Sequence, residues 1–204
     1  EQRPVPSFES FDPRPAAEKI DAFLNANLNR ENLQPNPTIS DEQFLRRIYL
    51  SVIGRIPTIL EANNFLNLTA NNKHSLLIQK LLSNDAGYTA HHYQFWADLL
   101  RIPTNVDYTL YNREWIKELV RKNTPYDELV HQLVSGHGLI FDNPAAAYYL
   151  RDAGMALDNM SNSVRIFLGT RLECAQCHDH PFDKWTQMDY FKMAAYTYDF
   201  DAFS

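Results

Sequence analysis

The sequence has only two cysteines and six glycines, and it contains no long apolar run. Two cysteines three positions apart cannot build the network of disulfides that holds small secreted domains together. No apolar stretch approaches the roughly 20 residues that a membrane-spanning helix needs. We therefore expect neither a disulfide-rich scaffold nor a membrane span in this chain.

Basic residues do not form a stripe or patch anywhere in the sequence. Lysine and arginine together number 19 against 25 aspartates and glutamates, which gives a net charge of -6. Proteins that bind nucleic acid need clustered basic side chains to neutralise phosphates. We therefore expect no nucleic-acid partner, and we interpret the mildly acidic surface as a feature that favours solubility.

Common catalytic patterns are also missing from the sequence. It shows no Ser-His-Asp or Cys-His nucleophile set, no glycine-rich phosphate loop and no carboxylates at metal-binding spacing. The sequence therefore predicts no particular enzymatic activity. The proline-rich start, EQRPVPSFESFDPRP, lacks helical periodicity and carries no visible signal peptide. It predicts an extended arm over residues 1–15, followed by a single domain over residues 16–204.

Helical periodicity runs through almost all of the remaining sequence. Apolar residues recur at i, i+3 and i+4, whereas convincing strand alternation is absent. Capping boxes are predicted at Ser40 and Thr58, and Gly54 and Thr186 mark a helix end and a helix start. The pattern predicts an all-α, bundle-like or orthogonal domain of about ten helices.

Two proline-containing pairs predict further helix starts. In the first, Thr124 is the expected N-cap and Pro125 the expected first helical residue, because proline is favoured at that position. Asn143 and Pro144 repeat the arrangement before the segment AAAYYLRDAG. We therefore expect one helix to begin at Pro125 and another at Pro144.

The segment RLECAQCHDHPFDKW, near the C-terminus, contains both cysteines. Cys174 and Cys177 have C-x-x-C spacing, and His178 follows directly. In a c-type haem site, this spacing brings two thiols to the vinyl groups of one porphyrin edge, and the histidine binds the iron. We favour this interpretation because the motif uses every cysteine of a helical chain. It makes Cys174 and Cys177 the haem tether and His178 the proximal ligand.

Two other interpretations remain open. Cys174, Cys177 and His180, with Asp183 as a further ligand, could bind zinc, although structural zinc sites usually add a second ligand pair at a distance. The chain would then be a helical interaction module whose C-x-x-C-H-x-H segment binds zinc or is purely structural. The cysteines could also form a disulfide or redox pair, but the thioredoxin-like setting requires strands that this sequence does not predict.

A haem iron also has a sixth position, whose ligand tunes the reduction potential. Met193 is the expected distal ligand because it lies on the apolar face of the helix that follows the motif. Met188 lies in the polar first turn of that helix, and His180 is too close to His178 to reach the opposite haem face. The remaining candidates are Met155, Met160 and His137.

Beyond the motif, longer segments resemble a known family. FLGTRLECAQCHDHPFDKWTQMDYFKMAAY is similar to the signature of the planctomycete cytochrome c-like domain, second type, also called domain of unknown function fifteen forty-nine. KIDAFLNANLNRENLQPNPTISDEQFLRRIYLSVIGRIPT resembles the opening of that family. WADLLR, NTPYDELVHQLVSG and NPAAAYYLRD resemble its middle segments. The resemblance covers roughly residues 18–198, with several motifs in the same order.

The resemblance implies an exported bacterial protein, periplasmic or otherwise outside the cytoplasm, of a family named for its C-x-x-C-H motif. With the motif itself, it leads us to expect a domain that carries haem c and transfers electrons in a larger redox assembly, with an unidentified redox partner. It also implies a further C-terminal domain in the full-length protein and an export or lipoprotein signal upstream of Glu1. It implies no enzymatic activity. A histidine–tryptophan pair common in the family reads Phe95-Trp96 here, so no ligand role is carried over to that position.

Overall fold

The computed structural model describes residues 12–103 and 109–198, and the regular secondary structure of these residues is entirely helical. The prediction of an all-α chain with about ten helices is confirmed. The described residues form ten α-helices, namely α1 Arg14–Arg30, α2 Asp41–Ile53, α3 Ile59–Leu66, α4 Lys73–Leu82, α5 Asp85–Leu99, α6 Thr109–Arg121, α7 Tyr126–Val134, α8 Ala147–Leu150, α9 Ala156–Phe167 and α10 Gln187–Tyr198. Two 3₁₀ turns accompany them, Pro144–Ala146 and Glu173–Gln176.

The chain divides into two compact units between Gln43 and Phe44. Within the first unit, α1 buries none of its residues, and its apolar face of Ile20, Phe23 and Leu24 lies exposed. Of the arm predicted over residues 1–15, residues 1–11 lie outside the described part of the chain, and α1 begins at Arg14. The predicted division into arm and domain stays a prediction.

Several helix ends follow local capping chemistry. Thr58 Oγ1 accepts a hydrogen bond from the Glu61 amide, and Glu61 Oε2 accepts one from the Thr58 amide at 2.7 Å, so the predicted capping box is confirmed. At the end of α2, Gly54 has a φ of +71°, a conformation that glycine adopts without strain. At the start of α10, Thr186 and Asp189 exchange hydrogen bonds between backbone and side chain. These three helix ends were therefore readable from the sequence.

Two predicted helix starts are wrong in detail. Helix α7 begins at Tyr126 with Pro125 as its N-cap, because Pro125 has an extended backbone with ψ of 143°. After Asn143, the expected single helix is split into a 3₁₀ turn and the four-residue helix α8. The chain then continues with i to i−3 hydrogen bonds and leaves the helix through Gly154, whose φ is +75°. Helix α8 therefore ends at Leu150, and turns connect it to the start of α9 at Ala156.

The described residues of the second unit form three hydrophobic clusters. The α2–α4 cluster consists of Leu45, Tyr49, Val52, Ile53, Phe65, Leu77 and Leu81. The central cluster consists of Tyr93, Leu100, Ile116, Leu119, Val120, Leu129, Leu133 and Tyr148. The motif cluster consists of Met160, Val164, Leu172, Ala175, Tyr190 and Ala194. It joins α9 and α10 to the 3₁₀ turn that carries the cysteines.

Among the described residues, no helix combines the length and the apolar character needed to cross a membrane.

Candidate functional site

The two cysteines lie on and next to the 3₁₀ turn between α9 and α10. Leu172 and Ala175 are fully buried in the motif cluster, and the Ala175 amide donates a hydrogen bond to the Leu172 carbonyl at 2.8 Å. The Cys177 amide donates to the Cys174 carbonyl at 3.4 Å. Both cysteines are exposed and unpaired. The buried residues thus anchor the turn to the core, while the two thiols remain accessible one turn apart.

Helix α10 is bonded directly to the motif. The Gln187 amide donates to Asp179 Oδ1 at 2.8 Å, and Gln187 Nε2 donates to the Gln176 carbonyl at 3.1 Å. Hydrogen bonds from Thr186 hold the pKa of Asp189 below its ordinary range. The segment from the 3₁₀ turn to α10 is therefore held by a series of local polar contacts.

His178 has one ring nitrogen engaged and one available. Its Nδ1 lies 2.6 Å from the backbone oxygen of Asp179. A carbonyl oxygen only accepts hydrogen bonds, so in the neutral ring Nδ1 carries the proton and Nε2 keeps its lone pair. Histidines that bind metals commonly donate their second ring N–H to a backbone carbonyl in this way. The exposed His178 is thus in the tautomer suited to bind a metal through Nε2.

Both ring nitrogens of His180 form hydrogen bonds with the backbone. Its Nε2 lies 3.1 Å from the Arg171 carbonyl, to which it must donate, and its Nδ1 accepts from the Phe182 amide at 3.2 Å. The His180 amide also donates to the Trp185 carbonyl at 2.8 Å. The half-buried His180 therefore closes the loop after the motif, and it could bind a metal only by breaking one of these contacts.

The zinc alternative finds no ligand set in this geometry. Structural zinc sites use four ligands, and the proposed third ligand, His180, is occupied. Within residues 12–103 and 109–198, no group of three or more histidine, cysteine, aspartate or glutamate side chains is arranged to hold a metal ion. The zinc site predicted around Cys174, Cys177, His180 and Asp183 is therefore not preformed.

The candidate distal ligands differ in burial. Met193 is half-buried and packs against the motif cluster, in which Met160 is a fully enclosed member. Met188 and Met155 are exposed. His137 is also exposed, and its Nδ1 lies 2.9 Å from the Ser135 carbonyl. Met193 thus shares a cluster with the residues that anchor the motif, and its role as distal ligand stays a prediction.

Next to the motif lies a cleft that the sequence patterns did not indicate. It has a volume of about 420 Å³ and is lined mainly by the segment between Tyr149 and Asn159, with Thr197 and Tyr198 opposite. Gln176 is the one motif residue in its wall, whereas Cys174, Cys177 and His178 do not line it. The sequence feature that could have indicated this cleft is Asn159, a polar amide at a buried position of α9.

Comparison with known proteins gives one match, to a protein family. No curated protein and no solved structure matches the chain. The family described as PSCyt2, protein of unknown function (DUF1549), matches residues 19–202, which is nearly the whole chain. The resemblance noted in the sequence is thereby confirmed, and the chain belongs to this family of unknown function.

Proposed function

We propose that the chain is an exported domain that binds haem c and transfers electrons within a larger redox assembly. Cys174 and Cys177 tether the haem, and His178 is the proximal ligand of its iron. One observation carries the proposal. Two free, exposed thiols on a single 3₁₀ turn precede a histidine whose Nδ1–H is donated to a backbone carbonyl, so that Nε2 is available.

The thiols fit the chemistry of covalent haem attachment. Cys174 and Cys177 would hold the haem through thioether bonds, which form by net addition of each S–H to a vinyl group and so need no oxidant or reductant. Both sulfurs are accessible, one turn apart. The burial of Leu172 and Ala175 anchors this turn to the motif cluster.

A hydrogen bond of the His178 ring supports its proposed role as proximal ligand. Donation of its Nδ1–H to the Asp179 carbonyl fixes the tautomer and makes Nε2 a better electron donor. Asp179 is itself tied to α10, because its carboxylate accepts the Gln187 amide. When bound, haem supplies a reversible one-electron carrier whose potential depends on its axial ligands.

Helix α10 supplies the proposed sixth ligand, Met193. Hydrogen bonds from Gln187 to Asp179 and to the Gln176 carbonyl join this helix to the motif, which supports the choice. The packing of Met193 against the cluster that contains Leu172 and Ala175 favours it over Met155, which lies at the start of α9. Methionine as a sixth ligand would raise the reduction potential of the iron.

The proposal includes a location outside the cytoplasmic membrane, where c-type haem is attached. We therefore expect the gene to encode an export or lipoprotein signal upstream of Glu1. We also expect a partner domain downstream in the full-length protein, together with a separate redox partner.

The test is retention of haem by the unfolded chain. The protein should be exported in a bacterium that expresses a c-type haem attachment system, purified and extracted with acid acetone. We expect haem to remain with the denatured chain, and Cys174→Ala or Cys177→Ala to reduce this retention strongly. Ser51→Ala, at an exposed position of α2, is the matched control and should retain haem like the wild type.

The same samples distinguish the alternatives. Complete extraction of haem from the wild-type chain would show that no thioether is formed. A colourless protein with one bound zinc per chain would instead support the zinc interaction module. A full-length gene product without an export signal would contradict the proposed location.

A further inference from the structure

The cleft beside α9 contains a buried polar group without a partner. Asn159 is 2% exposed, and no donor among the described residues reaches its Oδ1. Its Nδ2 lies 3.5 Å from Asp152 Oδ2, so a flipped amide would place two oxygens against each other. Buried acceptors are nearly always hydrogen-bonded in native proteins. The unpaired Asn159 oxygen in the wall of a cleft therefore points to a ligand that donates hydrogen bonds.

A second acceptor in the cleft is held rigidly. Asp152 is 4% exposed, and its Oδ2 pairs with the guanidinium of Arg151 at 2.6 Å. Arg151 is itself fixed, because it donates to the Leu100 carbonyl and stacks over the Tyr148 ring at 4.7 Å. No described residue donates to the other carboxylate oxygen, Asp152 Oδ1. Two residues of the cleft lining, Asn159 and Asp152, thus each hold an acceptor oxygen that receives no bond from a described donor.

Charge and ring contacts narrow the class of ligand. Arg151 neutralises the buried carboxylate of Asp152. The second carboxylate of the lining, Asp158, is exposed, so solvent and salt screen its attraction for a cation. The rings of Tyr149 and Tyr198 also line the cleft and offer apolar faces to C–H groups. The Tyr149 ring is held in place because its hydroxyl donates to the Val134 carbonyl.

We propose that this cleft binds a small, neutral, hydroxyl-rich molecule of the sugar or polyol class. Hydroxyl groups of the ligand donate to Asn159 Oδ1 and Asp152 Oδ1, and its C–H face lies against the tyrosine rings. The volume of about 420 Å³ lies in the range of small-molecule sites, about 300–1,000 Å³. The proposal does not depend on haem, because neither cysteine nor His178 lines the cleft.

The test uses saturation-transfer difference NMR on the purified chain. The probes are glucose, galactose, mannose and glycerol at millimolar concentrations, with ethylammonium as a cationic probe. We expect saturable transfer to at least one of the hydroxyl-rich probes. Asn159→Leu should abolish this transfer, whereas the matched control Asn63→Leu, on the exposed face of α3, should leave it unchanged.

Thermal unfolding separates binding from folding. Replacement of an unpaired acceptor with an apolar side chain of similar size should leave the Tm of Asn159→Leu unchanged or raise it. Ala153→Trp fills the cleft from a half-buried position in its wall and should also block transfer, which keeps the test decisive if Asn159→Leu does not fold.

Three results would overturn the proposal. These are no saturable transfer to any hydroxyl-rich probe, transfer to ethylammonium alone, and transfer that survives both cleft variants. Haem content is measured by absorption in the same samples. Failure of haem attachment is therefore recorded separately from failure of the cleft to bind.

Discussion

Two regions of this protein use their polar groups in opposite ways. In residues 44–82, the carboxylate of Glu61 bonds to Arg55 at 2.8 Å and to the Thr58 amide and hydroxyl. In residues 149–198, the buried Asn159 oxygen lacks a donor, and two thiols stay exposed. None of the buried side-chain atoms that lack a partner in the described structure belongs to the first region. The first region therefore satisfies its own polar groups, while the second keeps several available.

Packing does not explain this difference. Both regions have a hydrophobic cluster with fully enclosed side chains, such as Phe65 in the first and Leu172 in the second. The contrast lies in what surrounds each cluster. Around Phe65 the polar contacts complete helix caps, whereas around Leu172 they orient groups that face solvent or a cleft. We infer that the first region contributes stability and the second contributes chemistry.

The largest expected effect comes from two substitutions, one in each region, that should cost similar stability but differ in their effect on haem retention. Phe65→Ala and Leu172→Ala each remove a buried side chain and should lower the free energy of unfolding by about 2–5 kcal/mol. Both losses are measurable by urea unfolding. Only Leu172→Ala should also reduce haem retention, because it loosens the turn that holds Cys174 and Cys177. Equal haem retention in the two variants would contradict the proposed role of the motif cluster.

The next effect compares the two histidines of the motif. His180→Ala leaves the Arg171 carbonyl and the Phe182 amide without their ring partners. Because water can reach these exposed residues, the substitution should lower the free energy of unfolding by about 0.5–1.5 kcal/mol per lost hydrogen bond. His178→Ala should cost less stability but should remove the proposed proximal ligand. In absorption spectra, His178→Ala should therefore lose the low-spin haem signal, whereas His180→Ala should keep it. The reverse pattern would make His180 the ligand.

The sixth ligand is tested on α10. Met193→Ala should lower the free energy of unfolding by about 1 kcal/mol, less than for a fully buried methionine. It should also abolish the weak sulfur-to-iron absorption band expected of methionine ligation. Met188→Ala, at an exposed position of the same helix, is the matched control and should change neither. A wild-type spectrum that is high-spin and binds carbon monoxide directly would show an open sixth position.

The smallest effect is the pH dependence of the Glu61 network. Hydrogen bonds from Arg55 hold the pKa of Glu61 far below its ordinary value of about 4.3. A carboxyl group whose folded pKa is lowered stabilises the fold above its unfolded pKa, and this contribution is lost as the pH falls. Because Arg55 is partly exposed, the contribution should stay below about 1 kcal/mol.

Glu61→Gln should therefore be less stable than the wild type at pH 7, and the difference should fade below about pH 4. Urea unfolding at several pH values measures it. Glu114→Gln, whose carboxylate pairs with Lys117 on the exposed surface of α6, is the control and should change stability less. A difference that grows towards acid would contradict the assigned direction of the pKa shift.

Sequence patterns predicted helix ends well where the chemistry was local. Thr58 and Glu61 form their capping box, and Gly54 ends α2, because these contacts join residues within four positions of each other. The prediction was less accurate at Pro125 and at α8. Helix α7 begins one residue later than the proline pattern suggested. Around α8, 3₁₀ hydrogen bonds replace part of the expected α-helix.

The sequence by itself determined the helical fold class and the family, and it drew attention to Cys174, Cys177 and His178. Periodicity and spacing suffice for these because they depend on neighbours along the chain. Only the tertiary structure showed that both ring nitrogens of His180 are engaged, since its Nε2 bonds to the Arg171 carbonyl nine positions away. It also decided that Asn159 faces a cleft, because the walls of that cleft come from separate segments that meet only when α9, α10 and the 3₁₀ turn pack together.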